Sequence, residues 1–283
     1  MELIVCKFGG TSLASVENIK KVCDIIHADS RRRIIVVSAP GKRNPKDTKI
    51  TDLLFEIHDL KETGKDFDKP FNEFADRFYE IEKAFGLKTD LKKILTEFYN
   101  ELPGKNSDFI TSTGEYFMAK LLAAILGFEF VDLDKVHAIV FDKHGNVDLE
   151  KSKTNFAAYK DKQVVIPGFY GVIADEGHIK TFPRGGSDIT GAIIANIADA
   201  SVYENWTDVD GVFDADPRLH RHAKYFPVIS YDEVQHLARF EGANVLHHDC
   251  IDFVRAKDIP LHVKNTFNPQ KKGTVINKFG TKG

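Results

Sequence analysis

Apolar positions along the first fifty residues change their period twice. Leu3 to Phe8 is an almost unbroken apolar run, Gly9 and Gly10 follow it, and Val16, Ile19, Val22, Cys23 and Ile26 then recur at helical spacing. That order predicts a buried strand, a tight turn and a helix. Ile34 to Val37 is a second apolar run, so the segment reads as a β-α-β unit, which builds a parallel sheet through a right-handed crossover. From Asp52 to about Glu101 the apolar positions keep helical spacing amid dense charge, with breaks at Gly64, Pro70 and Gly86, and this predicts a helical insertion covering one side. Strand signals return at Phe128 to Leu133, Gln163 to Pro167, Ser201 to Asn205 and Pro260 to Val263. Helical segments, Glu115 to Leu126 and Asp188 to Ile197 among them, alternate with these strands. The pattern predicts an α/β fold with a mostly parallel sheet. With no internal repeat and no Gly/Ser or Pro linker, the chain reads as two lobes of one folding unit, 1–198 and 199–283, with a seam near Asp199 to Ser201.

Composition narrows the partners. The 283 residues carry a net charge of −3, with basic and acidic residues interspersed, so a nucleic-acid footprint is not expected. No run approaches the roughly 18 apolar residues of a membrane span, and Ala119 to Phe130 is broken by Lys120 and Gly127. Cys6, Cys23 and Cys250 form no CxxC pair, and the N-terminus does not read as a signal peptide, so a cytoplasmic protein is expected. Any anion must therefore be captured locally.

Two glycine clusters supply the means. In Lys7-Phe8-Gly9-Gly10-Thr11-Ser12 the glycines let backbone N–H groups approach a phosphate, the following helix N-terminus adds partial positive charge, and Lys7 adds a full cation. A Gly-Gly turn after a strand is often only a turn. Neither GxxxxGK[ST] nor GxGxxG occurs, which disfavours the common nucleotide-binding folds. In Phe182-Pro183-Arg184-Gly185-Gly186-Ser187-Asp188, Ser187 or Asp188 is the expected N-cap of a helix. Arg184 beside two glycines suits a bidentate grip on a carboxylate, and Asp188 is placed to orient Lys7. Thr111-Ser112-Thr113-Gly114-Glu115 precedes the helix predicted to end near Leu126; there Glu115 reads either as a first-turn carboxylate complementing the dipole or as a partner for a substrate ammonium. The aspartate-rich loop from Trp206 to Arg218 lacks EF-hand spacing, so metal binding is the weaker reading. His247-His248-Asp249-Cys250 has metal-ligand residue types, but adjacent histidines point in different directions, so a packed or solvated pair is expected and no metal site.

Taken in order, KFGGTS at Lys7 to Ser12, STGE at Ser112 to Glu115, PGFYG at Pro167 to Gly171, FPRGGSD at Phe182 to Asp188 and WTDVDGVFDADPR at Trp206 to Arg218 resemble the catalytic domain of aspartate kinase over nearly the whole chain. The resemblance implies a three-layer α-β-α sandwich, with an N-terminal lobe for the amino acid and a C-terminal lobe for ATP. It implies that Lys7 stabilises the phosphoryl group in flight, Asp188 organises Lys7, and Gly9, Gly10, Thr11 and Ser12 cradle phosphates. It gives Arg184 the substrate carboxylate and Glu115 the ammonium, with Thr51, Phe169, Gly185 and Ser187 completing the pocket. Thr207, Asp208, Asp216 and Arg218 match the nucleotide loop, with Phe213 where a tyrosine is frequent. Asn244 and Val245 also fall on the nucleotide side, in a string GANVLHH where many members carry GAKVLHP, so a lysine contact and a proline are replaced.

The chemistry so implied is transfer of the ATP γ-phosphoryl group to the β-carboxylate of L-aspartate, giving 4-phospho-L-aspartate at the entry to lysine, threonine and methionine synthesis. A side-chain carboxyl with a reference pKa of about 3.9 is already ionised at neutral pH, so no general base is needed. Positioning and electrostatics carry such a reaction, with Mg²⁺ travelling on ATP. Phosphorylation of glutamate or of an acetylated derivative is the nearest rival, opposed by Glu115, since an N-acylated substrate has no ammonium. A sensor without turnover is the rival from another class, opposed by Lys7, Arg184 and Asp188 occurring together. The resemblance further suggests a homodimer. Only seven residues follow Ile276, so the paired regulatory ACT domains that follow such catalytic domains are not expected, nor is inhibition by lysine or threonine below concentrations that compete for the aspartate pocket.

Overall fold

The strand predicted at the N-terminus is the centre of the molecule. In a computed structural model describing residues 2–174, 176–183, 185–215, 219–220, 222–240 and 246–280, β1 (Ile4–Phe8) is buried along its whole length. A 3₁₀ turn, Gly10–Leu13, follows, and Ser15 caps α1 (Val16–His27) by accepting the Asn18 amide at 3.3 Å. Then comes β2 (Arg32–Val37), parallel to β1 with Lys7 beside Val36, which completes the expected β-α-β unit. The charged insertion is helical: α2 (Ile50–Glu62), α3 (Asp68–Ala84) and α4 (Leu91–Glu101) pack with α5 (Ser107–Leu126). Phe74 of α3 is the hub, with ring centroids of Phe71, Phe78, Phe98 and Phe117 between 5.1 and 6.0 Å away.

Shorter elements follow: β3 (Glu129–Phe130), α6 (Leu133–Val136), β4 (Val140–Phe141), α7 (Leu149–Phe156), β5 (Val164–Pro167), β6 (Tyr170–Ile173) and β7 (Ile179–Thr181). The remainder is α8 (Gly186–Ile197), β8 (Val202–Thr207), β9 (Val212–Phe213), β10 (Tyr225–Phe226), β11 (Val228–Ser230), α9 (Tyr231–Phe240), α10 (Asp249–Arg255), β12 (Leu261–Asn265) and β13 (Thr274–Asn277). Among the described residues the main sheet has eight strands in the order β11-β13-β12-β8-β1-β2-β5-β3. Every pairing in it is parallel except β12 with β13.

Helices cover both faces because the inner strands are apolar on both. Val5, Ile34, Val36, Val164 and Ile166 join one core with α8 and α10, while Ile4, Cys6, Phe8, Ile35, Val37 and Val165 join the other with α1, α2 and α5. That is the period of two expected of strands buried on both sides, and each fully buried Val or Ile contributes about 1.5–3 kcal/mol.

Helix α5 departs from the sequence reading. It begins at Ser107, capped by the Asn106 side chain, which accepts the Phe109 amide at 2.9 Å, so Thr111 to Glu115 lies inside the helix rather than ahead of it. The hydroxyl run is accommodated because Thr111, Ser112 and Thr113 donate back to the carbonyls of Ser107, Phe109 and Ile110 at 2.7–2.8 Å. With 20 residues and a mean hydropathy of 1.2, α5 is the one helix among the described residues long and apolar enough to cross a membrane, and two thirds of it is buried within the protein.

Candidate active site

Parallel strands that share a direction deliver their following loops to one edge of the sheet, and in open α/β sheets that edge is where ligands bind. A cleft of about 1280 Å³ lies there, lined by Lys7, Gly10 and Thr11 after β1, Ser38 to Lys42 after β2, Phe169 after β5 and Asp208 after β8. The first turn of α8 (Gly186, Ser187 and Asp188), with Gly185 before it, and Thr51 at the start of α2 complete the wall, and Glu115 of α5 reaches it from beneath.

Close backbone packing shapes the floor. A Cβ on Gly10 would lie 2.8 Å from the Ala39 carbonyl oxygen, and the Gly41 amide donates to the Gly10 carbonyl at 2.8 Å. The loop Ser38-Ala39-Pro40-Gly41-Lys42 is thus a second glycine loop of the site, absent from the sequence reading although its strand-then-glycine pattern repeats that of Gly9 and Gly10. Buried Arg77 of α3 holds this loop from behind, donating to the Gly41 and Ala14 carbonyls at 2.8 and 3.0 Å and to Asp47 at 2.9 Å.

The charged centre is a short chain of bonds. Lys7 Nζ lies 2.6 Å from Asp188 Oδ1, with both side chains nearly buried. Asn205 Nδ2 donates to the same oxygen at 2.8 Å, and the His247 amide donates to Oδ2 at 3.3 Å. Asn205 stands beside Lys7 in the β1–β8 register, and its Oδ1 is buried without a partner. In the sequence Asn205 stands at the head of the aspartate-rich string that begins at Glu204, where nothing gives it a role of its own. The N-cap of α8 is Gly185, at φ 79°, not Ser187 or Asp188; a Cβ there would meet His247 at 2.6 Å, so the left-handed turn and the close approach both require glycine. Asp188 consequently sits in the first turn with its side chain free to face Lys7.

Glu115 is 4 % exposed, and among the described residues its Oε2 has no hydrogen-bond partner. Burial pushes its carboxyl up to about 8, with the Ala39 amide pulling weakly the other way. Gly114 makes this placement possible: a Cβ there would lie 2.8 Å from Ala39 Cβ and 2.9 Å from Ile50 Cγ2. Phe169 has φ 77°, a conformation that costs a residue other than glycine about 1–3 kcal/mol, and it is held by the Thr190 hydroxyl accepting its amide at 3.0 Å.

Of the other predicted residues, Ser12 is buried with its hydroxyl 2.7 Å from that of Thr266, and Gly9 donates its amide to the Trp206 carbonyl. Thr207 ends β8, its carbonyl accepting the Thr266 amide, and the Phe213 ring packs 5.4 Å from Tyr225. None of these four lines the cleft. Arg184, Asp216, Arg218, Asn244 and Val245 lie outside the described residues. His247 and His248 do not diverge as expected of neighbours in a regular element; they lie in the turn before α10, and their rings stack at 4.6 Å. Together with Asp249 they offer ligating atoms within 4.8 Å of one another.

The profile of the amino acid kinase family matches residues 2–265. The chain belongs to the amino acid kinase family. Among relatives of this kinase, aspartokinase 3 of Bacillus subtilis is 34% identical over 290 residues, a match covering 97% of this chain and 63% of the relative. The crystal structure of Clostridium acetobutylicum aspartate kinase is 40% identical with a TM-score of 0.89, covering 98% of this chain and 63% of that one. Escherichia coli aspartokinase III, crystallised with aspartate and ADP, is 27% identical with a TM-score of 0.84, covering 98% and 65%. This amino acid kinase thus spans a little under two thirds of the length of the relatives it matches.

Proposed function

We propose that this amino acid kinase transfers the γ-phosphoryl group of ATP to the β-carboxylate of L-aspartate, giving 4-phospho-L-aspartate and ADP. The observation that carries the reading is buried Glu115, whose unpartnered oxygen lies in the same cleft as the Lys7–Asp188 pair. Among the described residues a carboxylate so placed has no cationic partner, and the ammonium of a free amino acid would supply one; an N-acylated acceptor would not. Aspartokinase relatives and the aspartate and ADP of the Escherichia coli structure support the same acceptor and nucleotide.

In this reading residues 1–198 bind the amino acid and 199–283 the nucleotide. Glu115, Thr51, Phe169, Ser187 and Arg184 orient aspartate, whose β-carboxylate attacks without a general base. Lys7 meets the negative charge spread over the equatorial oxygens of the transferring group, and the amides of the Gly10 and Gly41 loops add dipoles in a partly desolvated cleft. Asp188 keeps Lys7 aimed and Asn205 keeps Asp188 in place. Mg²⁺ carried by ATP would supply neutralisation of the phosphate charge. The donor set fits a metal held by phosphates and water, since both Asp188 oxygens are taken, Glu115 is assigned to the ammonium, and Asp52 and Asp208 are the remaining carboxylates among the described residues of the cleft.

ADP release measured with aspartate, with glutamate and without acceptor tests the assignment, alongside hydroxylamine trapping of the acyl phosphate. Aspartate-dependent ADP with matching hydroxamate is expected. ADP release that is equal with glutamate, or independent of acceptor, would overturn it.

A further inference from the structure

We propose that a crevice on the far side of α5 is a second ligand site, and that it takes a small organic cation of the alkylammonium class. The crevice, about 250 Å³, lies between α4, α5 and α6 and shares no lining residue with the catalytic cleft. That is far more room than one water needs. On α5 the two sites are back to back: Glu115 faces the cleft, while its neighbours Thr113 and Tyr116 line the crevice.

Tyr170 is the signal that the crevice is built for a ligand. The residue is 1% exposed and lines the crevice, and its hydroxyl makes no hydrogen bond to another described residue, so what the hydroxyl can bond to is whatever occupies the crevice. Other buried tyrosines are satisfied: Tyr203 donates to the Asp188 carbonyl at 3.1 Å and Tyr231 to the Ile259 carbonyl at 2.7 Å.

The polar wall is made of acceptors. Ser112 and Thr113 have already spent their hydroxyl protons on the Phe109 and Ile110 carbonyls, so they present lone pairs. Asp132 presents a carboxylate, and burial, then Asp132, then Asp134 and Glu97 raise the Tyr116 phenol to about 12. Burial and then Asp132 likewise raise Tyr170. Two lysines stand at the mouth: Lys135, with its side chain 80% exposed, pairs with Asp132 at 3.4 Å, and Lys105 pairs with Glu101 at 3.1 Å while its ammonium lies 4.2 Å from the centre of the Phe109 ring. A ligand here meets acceptors, negative potential and aromatic faces, which together select an N–H-bearing cation with a short apolar tail. Against four carboxylates, Glu97, Glu101, Asp132 and Asp134, the described lining offers an anion two lysines, each already paired with one of them.

Isothermal titration of the purified chain with 1,4-diaminobutane, butylamine and butanoate tests the site. Saturable one-to-one binding of both amines and none of butanoate is expected. Tyr170→Phe, which removes only the hydroxyl, should weaken amine binding at least fivefold, as should Asp132→Asn, with far-UV circular dichroism checking that each variant folds. Saturating aspartate should leave the amine affinity unchanged. The proposal fails if neither amine binds saturably, if butanoate binds as well, if folded Tyr170→Phe keeps full affinity, or if aspartate displaces the amine.

Discussion

Glu115→Gln separates the role of this carboxylate from that of its neighbours, because the protein holds the Glu115 proton up to about pH 8 whereas the unfolded chain releases it near 4.5. A difference of that size is worth about 5 kcal/mol. The folded pKa is raised, so the stability it contributes is complete below pH 4.5, declines as pH rises, and is gone above about 8. Pairing with the substrate ammonium requires the ionised form, and binding at neutral pH must therefore expel a proton. The KM for aspartate should fall roughly tenfold per unit from pH 6 to 8 and level off above. In Glu115→Gln that slope should vanish, and at pH 9 KM should exceed the native value by on the order of 10²-fold, as expected for a desolvated ion pair worth about 2–5 kcal/mol. Coupled ADP-release rates across pH 6 to 9, at saturating ATP, measure both. A native KM that stays flat over this range, or an equal slope in the variant, would refute the reasoning. Thermal unfolding without ligands gives an independent check: the glutamine variant should gain on the native protein as pH rises from 5 to 8.

Lys7→Ala should lower kcat by on the order of 10³-fold with an unchanged circular dichroism spectrum, since the developing charge loses its cation; near-native kcat in a folded variant would remove Lys7 from the phosphoryl group. Asn205→Ala frees Asp188 of one of its two side-chain partners. It should cut kcat about tenfold while changing the aspartate KM less than twofold, as loss of an interaction felt in the transition state does; a rise in KM alone would place Asn205 in ground-state binding instead. Arg77→Met takes the guanidinium from the buried Ala14 and Gly41 carbonyls, while Asp47 keeps Arg43, and urea unfolding should show a loss of about 1–3 kcal/mol for each carbonyl left unsatisfied, whereas a neutral result would mean that the Gly41 loop holds itself.

Much of this architecture was legible in the chain. The first β-α-β unit and the helical insertion each announce themselves by period, because their apolar positions answer to one local geometry. The misread points are those where local chemistry has two solutions. Thr111 to Thr113 look like capping residues, yet their hydroxyls fold back onto their own helix, and Asn106 does the capping. Ser187 and Asp188 are good caps by type, but His247, far along the chain, packs against Gly185 and makes that glycine the cap. Neither Asn205 nor Arg77 has a role of its own in the sequence, and their importance arises only from partners that the fold brings to them. Likewise the crevice behind α5 depends on Tyr170 from a strand and Tyr116 from a helix, a pairing that no spacing reveals.

The sheet has a mechanical consequence. β8 pairs with β1 along the whole of β1, so the seam between the two proposed lobes is crossed by continuous parallel hydrogen bonding, with Lys7 and Asn205 side by side within it. Jaw-like opening would tear that ladder, and the catalytic bonds with it. Substrates must instead enter through the open side of the cleft, past Ser38 to Lys42, while the spine stays stiff and Lys7 keeps its place beside Asn205.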